Sequence, residues 1–170
     1  MIAIVDGCRF GTLIGAALVL MLPATVRADD VKLVLRVTSG ERKVQTKVTR
    51  QEPSSQKPQP QPVFRAAPGE SLKVAWEARH DDGKTTFKDV LVHFFVVPEK
   101  KVGQIAIPPL GKDVPHEGAV TLDFKPDAEA SGEFTIQLDQ PGSYMIRVET
   151  RGLLGQVQHE DYTAMDLVIE

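Results

Sequence analysis

Cysteine is almost missing from this 170-residue chain: the single one, Cys8, sits near the start, ahead of an apolar run. A lipoprotein cysteine follows such a run, so lipidation is not expected. The body of the chain therefore has no thiol, which excludes disulfides, thiolate metal sites and a cysteine nucleophile. Tryptophan and tyrosine are also scarce, at one and two residues, so an aromatic platform for stacking sugars is disfavoured. Positive charge is not in excess. A net charge of −3 and a pI near 5.8 exclude the strongly basic surface of a nucleic-acid binder.

Long hydrophobic runs are absent too. The longest, Gly11–Leu22, has twelve residues, against roughly 20 for a transmembrane helix. Twelve suits the apolar region of a secretory signal peptide. Pro23 breaks the run, and Val26-Arg27-Ala28 places small residues where a signal peptidase reads them. The expectation is a leader over residues 1–28, cleaved to free Asp29, and a protein exported to the periplasm or cell exterior with no transmembrane segment remaining. An uncleaved N-terminal anchor is the alternative, because Asp6 offsets Arg9 ahead of the run.

What remains is globular in composition, 42% hydrophobic and 25% charged over the whole chain, and 142 residues are enough for a real core. Past residue 30 the apolar residues follow no helical period. They alternate instead, as strands half-buried on one face do. Val31, Leu33, Leu35 and Val37 share one face, and Val44, Thr46 and Val48 another, with Thr38-Ser39-Gly40-Glu41 as a hairpin turn between them. Residues 51–62 follow with four Pro and four Gln, a composition that favours extended polyproline II.

Alternation resumes at Leu72, Val74, Trp76 and Ala78. It continues through Val120–Phe124, Phe134–Leu138, Tyr144–Val148 and Tyr162–Ile169, while Asp89–Val97 is apolar on both faces like a central strand. Turns are expected at His80–Lys84, Lys125–Gly132 and Gln140–Gly142, with a loop over 151–161 and a short strand at Val102–Ile107 inside the connection 98–118. Many short alternating strands without helices predict a β-sandwich.

The segment Gln140-Pro141-Gly142-Ser143-Tyr144 places a tyrosine just after a Pro-Gly corner, at the start of an alternating strand. Over residues 63–170 the chain thereby resembles bacterial immunoglobulin-like and fibronectin type III-like domains, whose penultimate strand begins in this way. The resemblance implies an all-β, antiparallel immunoglobulin-like sandwich of about seven strands. It implies that Pro141, Gly142 and Tyr144 form a structural corner, with the hydroxyl bonded across it. Trp76, on an apolar face, is expected inside, although one strand earlier than the antibody pattern. The expected division is 1–28 leader, 29–50 hairpin, 51–62 connection and 63–170 sandwich.

Residues 31–50 carry a charge of +5 against −7 for residues 51–170. The hairpin is expected to dock on its own acidic domain, with an anionic surface or polysaccharide as the alternative partner. No G-x-S-x-G serine, H-E-x-x-H pair, phosphate-binding glycine loop or calcium loop occurs. Three of the four histidines do open acidic clusters: His80-Asp81-Asp82, His116-Glu117 and His159-Glu160-Asp161. Imidazole with carboxylate suits zinc, nickel or copper. If the 80–86 and 151–161 loops share one end, His80, Asp82, His159 and Asp161 are candidate ligands. Turn chemistry explains the same residues without a metal. His93, inside an apolar strand, is expected as a packed or hydrogen-bonded residue.

Three functions follow from these observations. The leading expectation is an exported, non-catalytic binding module whose partner is another envelope or extracellular protein, contacted through edge strands and end loops. A periplasmic metal-handling protein, similar to β-sandwich accessory proteins of nickel or copper uptake, is the second, and it alone needs a divalent transition metal. A hydrolase with unmarked carboxylates is the third.

Overall fold

The computed structural model describes residues 31–46, 60–80, 86–103, 114–154 and 157–170, with side chains for all of these but 152–160. The expected leader, residues 51–59 of the Pro/Gln connection, Asp82 and residues 104–107 of the short strand expected at Val102–Ile107 lie outside the described residues. Val102 and Gly103 form a turn.

The alternation seen in the sequence becomes nine described strands: β1 (Val31–Ser39), β2 (Arg42–Gln45), β3 (Val63–Ala66), β4 (Leu72–His80), β5 (Phe87–Glu99), β6 (His116–Phe124), β7 (Glu129–Ile136), β8 (Gly142–Leu154) and β9 (Val157–Ile169). They form two sheets, ordered β2-β1-β4-β7 and β3-β9-β8-β5-β6. All pairings are antiparallel except β3 with β9. Inward residues of both sheets make one core, from Leu33, Leu35, Val74 and Trp76 on one side to Val92, Val96, Ile146, Met165 and Leu167 on the other. Full burial of each such side chain contributes about 1.5–3 kcal/mol before chain entropy is counted.

The order fits the immunoglobulin-like class. β4 and β7 stand where strands B and E stand, β5, β8 and β9 where C, F and G stand, and β6 extends the second sheet beyond C. The corner forms as expected: Tyr144, near the start of β8, donates its hydroxyl to the Gln140 carbonyl at 2.9 Å. Trp76 is buried in β4.

Two expectations are corrected. The hairpin docks on its own domain as expected, but as two strands of the first sheet rather than as a segment set before a 63–170 sandwich. β1 pairs with β4 over eight residues, Val31↔His80 to Thr38↔Lys73, and its four inward side chains are at most 2% exposed. Two strands cannot bury an apolar face alone, and β1 buries its own against β8 and β9. The turn expected at Lys125–Gly132 and the loop expected at 151–161 are also mostly strand. The first shrinks to 125–128, with Asp127 at φ 57° and Ala128 N–H donating to Lys125 O at 3.0 Å. The second gives way to paired backbone as far as Leu154↔Val157.

The second sheet is covered on its outer face as well. Phe95, Val97, Met145 and Ala164 form a second cluster there, with Val114 packed against it. Gly103 N–H donates to Asp166 Oδ2 at 2.8 Å on the same face. The β5–β6 connection therefore begins and ends on this face, which explains why Asp89–Val97 reads as apolar on both sides.

Candidate functional site

Adjacent to the turn at 125–128, β6 and β7 are the outermost described strands of their sheets, and they lie on the same flank of the sandwich. Each has a glycine facing inward, opposite an aromatic residue of the neighbouring strand: Gly118 opposite Phe94 and Gly132 opposite Trp76. The rings lie across the glycines so closely that a Cβ on Gly118 would sit 2.4 Å from the Phe94 ring. One on Gly132 would sit 2.6 Å from the Trp76 indole. Trp76 and Phe94 then meet between the sheets, centroids 6.4 Å apart. Phe134 stacks on Phe94 at 4.9 Å and on His116 at 4.3 Å. Burial holds the His116 imidazole below its ordinary pKa, which keeps it a neutral member of this stack at neutral pH.

Between the strands runs a cleft of about 390 Å³, floored by Trp76 and Phe94 and walled by Val120 and Leu122 of β6 and by Ala130 and Gly132 of β7. Val120, Leu122, Ala130 and Phe134 are only half-buried. Among the described residues, no hydrogen bond or ion pair joins β6 to β7 across it. Neither strand contains Lys or Arg; together they carry Glu117, Asp123, Glu129 and Glu133. Glu129 and Glu133 are matched by cations of β4, Arg79 at 3.4 Å and Lys73 at 2.7 Å. Glu117 accepts from His93 Nε2 at 2.8 Å, and Asp123 accepts the Asp89 backbone N–H at 3.0 Å, where β5 bulges and Asp89 takes φ 54°.

A second polar cluster lies on the outer face of the same sheet. His93 is held between Glu117 and Glu149, its Nδ1 3.2 Å from the latter, so it is hydrogen-bonded as expected. Glu149 also receives Arg147 Nε and Arg151, each at 2.7 Å. The Arg147 guanidinium lies 3.9 Å over the Tyr162 ring. Burial pushes the Glu149 carboxyl up, but the bonds from Arg147 and His93 and the two guanidinium charges outweigh it and hold the pKa below the ordinary value. Further along, both oxygens of Glu99 and Oδ1 of Asp166 are buried without a hydrogen-bond partner among the described residues. Burial, then the nearby Asp166 carboxylate, raises Glu99 to about 7. Burial also raises Asp166, against the Gly103 amide.

His80 and Asp161 lie at one end of the sandwich. Val31 is paired with His80 and donates its N–H to Asp161 Oδ2 at 3.2 Å. Both side chains are buried, and the His80 ring stacks on Phe87 at 4.3 Å. His159 lies in strand β9 opposite Gly152 rather than in a loop, its side chain outside the described set with Asp82. Among the described residues, no three His, Cys, Asp or Glu side chains gather to hold a metal ion.

The cleft escaped sequence reasoning because its signal is two glycines inside strands. Gly118 and Gly132 interrupt the apolar alternation, and a strand glycine marks close approach by another group.

No family model matches the sequence, and no curated protein matches it. Among solved structures, the chain is similar to a family 123 glycoside hydrolase from Clostridium perfringens, described in connection with glycolipid glycan hydrolysis. Identity is 12% and the TM-score 0.39, over 64% of this chain and 23% of the hydrolase, so the likeness spans about a quarter of that protein. It is also similar to the PapD-like (ASH) domain 7 of human CEP192. Identity is 12% and the TM-score 0.36, over 74% of this chain and 96% of that domain.

Proposed function

We propose that this chain is an exported, non-catalytic β-sandwich that binds another protein of the envelope or cell exterior, using the β6–β7 flank as its contact surface. One observation carries the reading: half-buried Val120, Leu122 and Ala130 line a cleft between two outermost described strands. Apolar surface left open between strand edges is a recognition feature in sandwiches that bind by their borders.

Site-specific photo-crosslinking in the native host tests it. A crosslinker placed at exposed Ala119 gives one discrete adduct with a second protein, and the same group at exposed Lys43, on the opposite flank, does not. No adduct from Ala119, or the same adducts from both positions, contradicts the reading.

A further inference from the structure

We propose, resting on the interaction reading above, that the occupant of this flank is an extended segment of the partner that adds as a strand beside β6. Its apolar side chains enter the cleft at alternate positions, with Lys or Arg between them. β6 presents nine residues, roughly 30 Å of edge at about 3.3 Å per residue. Edges of this length normally carry Lys or Pro to deter pairing, and β6 has neither.

Charge decides both the strand and the partner. The glutamates of β7 are already matched by Arg79 and Lys73. By contrast, Glu117 and Asp123 of β6 have no Lys or Arg within ion-pair distance among the described residues. Glu117 is bonded to the His93 imidazole and Asp123 to a backbone amide. An added strand with cations at its outward positions supplies what β6 lacks. A second copy pairing through its own β6 opposes carboxylate to carboxylate and is disfavoured.

The test is a titration of the isotope-labelled chain with a nine-residue peptide alternating Lys and Val, against its Glu-Val counterpart. The proposal expects saturable binding of the first alone, amide shifts centred on residues 116–124, and a change in Trp76 fluorescence. Glu117→Gln with Asp123→Asn keeps both hydrogen-bond acceptors and removes both charges. It is expected to weaken the Lys-Val peptide about tenfold and flatten its salt dependence. Equal binding of both peptides, shifts centred on β7 or β2, or no binding of either overturns the added basic strand. If the Ala119 crosslink survives any of these outcomes, the interaction reading stands and only the occupant is wrong; if the crosslink is also missing, both fail.

Discussion

The two long flanks of the sandwich are closed by different means. On the β2–β3 flank one arginine spans the sheets. Arg42 donates to the Arg65 carbonyl at 2.6 Å, pairs with Glu70 and lies 5.2 Å over the Phe64 ring. Glu70 in turn accepts from the Ala67 amide at 3.0 Å. On the β6–β7 flank no such bridge exists among the described residues, and the gap is floored by aromatic rings laid over glycines. A polar bridge seals an edge while leaving little apolar surface to a visitor. A ring over a glycine fills the core from within and leaves the edge itself bare. The difference shows where this fold spends its stability and where it keeps a surface free.

The largest expected effect concerns β1, which stands behind both flanks. Deleting residues 31–46 removes Leu33 and Leu35, both fully buried, and uncovers β4. The remainder is expected to lose its cooperative thermal transition by circular dichroism. Leu35→Ala alone is expected to cost about 2–5 kcal/mol in urea unfolding. A 63–170 fragment that melts cooperatively contradicts the integrated hairpin.

Next comes the open flank. Gly132→Ala drives a Cβ into the Trp76 indole and is expected to cost about 1–3 kcal/mol, as overpacking does, although the site is on an edge strand. Tyr144→Phe, away from both flanks, loses one hydrogen bond to Gln140 and is expected to cost about 1 kcal/mol by the same assay.

The smallest effects are in pH. Glu70 is held at about 2, against an ordinary 4.5, by hydrogen bonds from Ser39, the Ala67 amide and Arg42. Its contribution is present above pH 4.5 and disappears as pH falls towards 2. Glu99 has the opposite sign. Its folded pKa of about 7 means the folded chain holds an extra proton between 4.5 and 7, so stability declines as pH rises through that window. Glu99→Gln is expected to flatten the neutral limb and Arg42→Ala the acid limb of a Tm–pH profile. An unchanged neutral limb in Glu99→Gln refutes the buried acid pair.

The sequence made the layered architecture legible because alternation survives wherever a strand buries its own side chains, as in Val31–Val37 or Leu72–Ala78. The corner was legible for a similar reason: Pro141, Gly142 and Tyr144 are local in sequence. The cleft was not, because the groups filling it are borrowed across strands. Trp76 occupies the space above Gly132 and Phe94 that above Gly118, so the segments 116–119 and 129–132 lose their apolar period and read as turn or loop. The outer-face network was hidden likewise. His93, Glu117 and the Arg147–Glu149 pair are far apart in sequence and meet only through the β6-β5-β8 register.

Native-state hydrogen exchange tests the unequal flanks most directly. The account predicts that strand amides of β1, β4, β8 and β9 exchange slowest. Those of β6 and β7 exchange fastest in the free chain, and β6 gains protection when the Lys-Val peptide is bound. Protection of β6 in the free chain equal to that of β8 would contradict it.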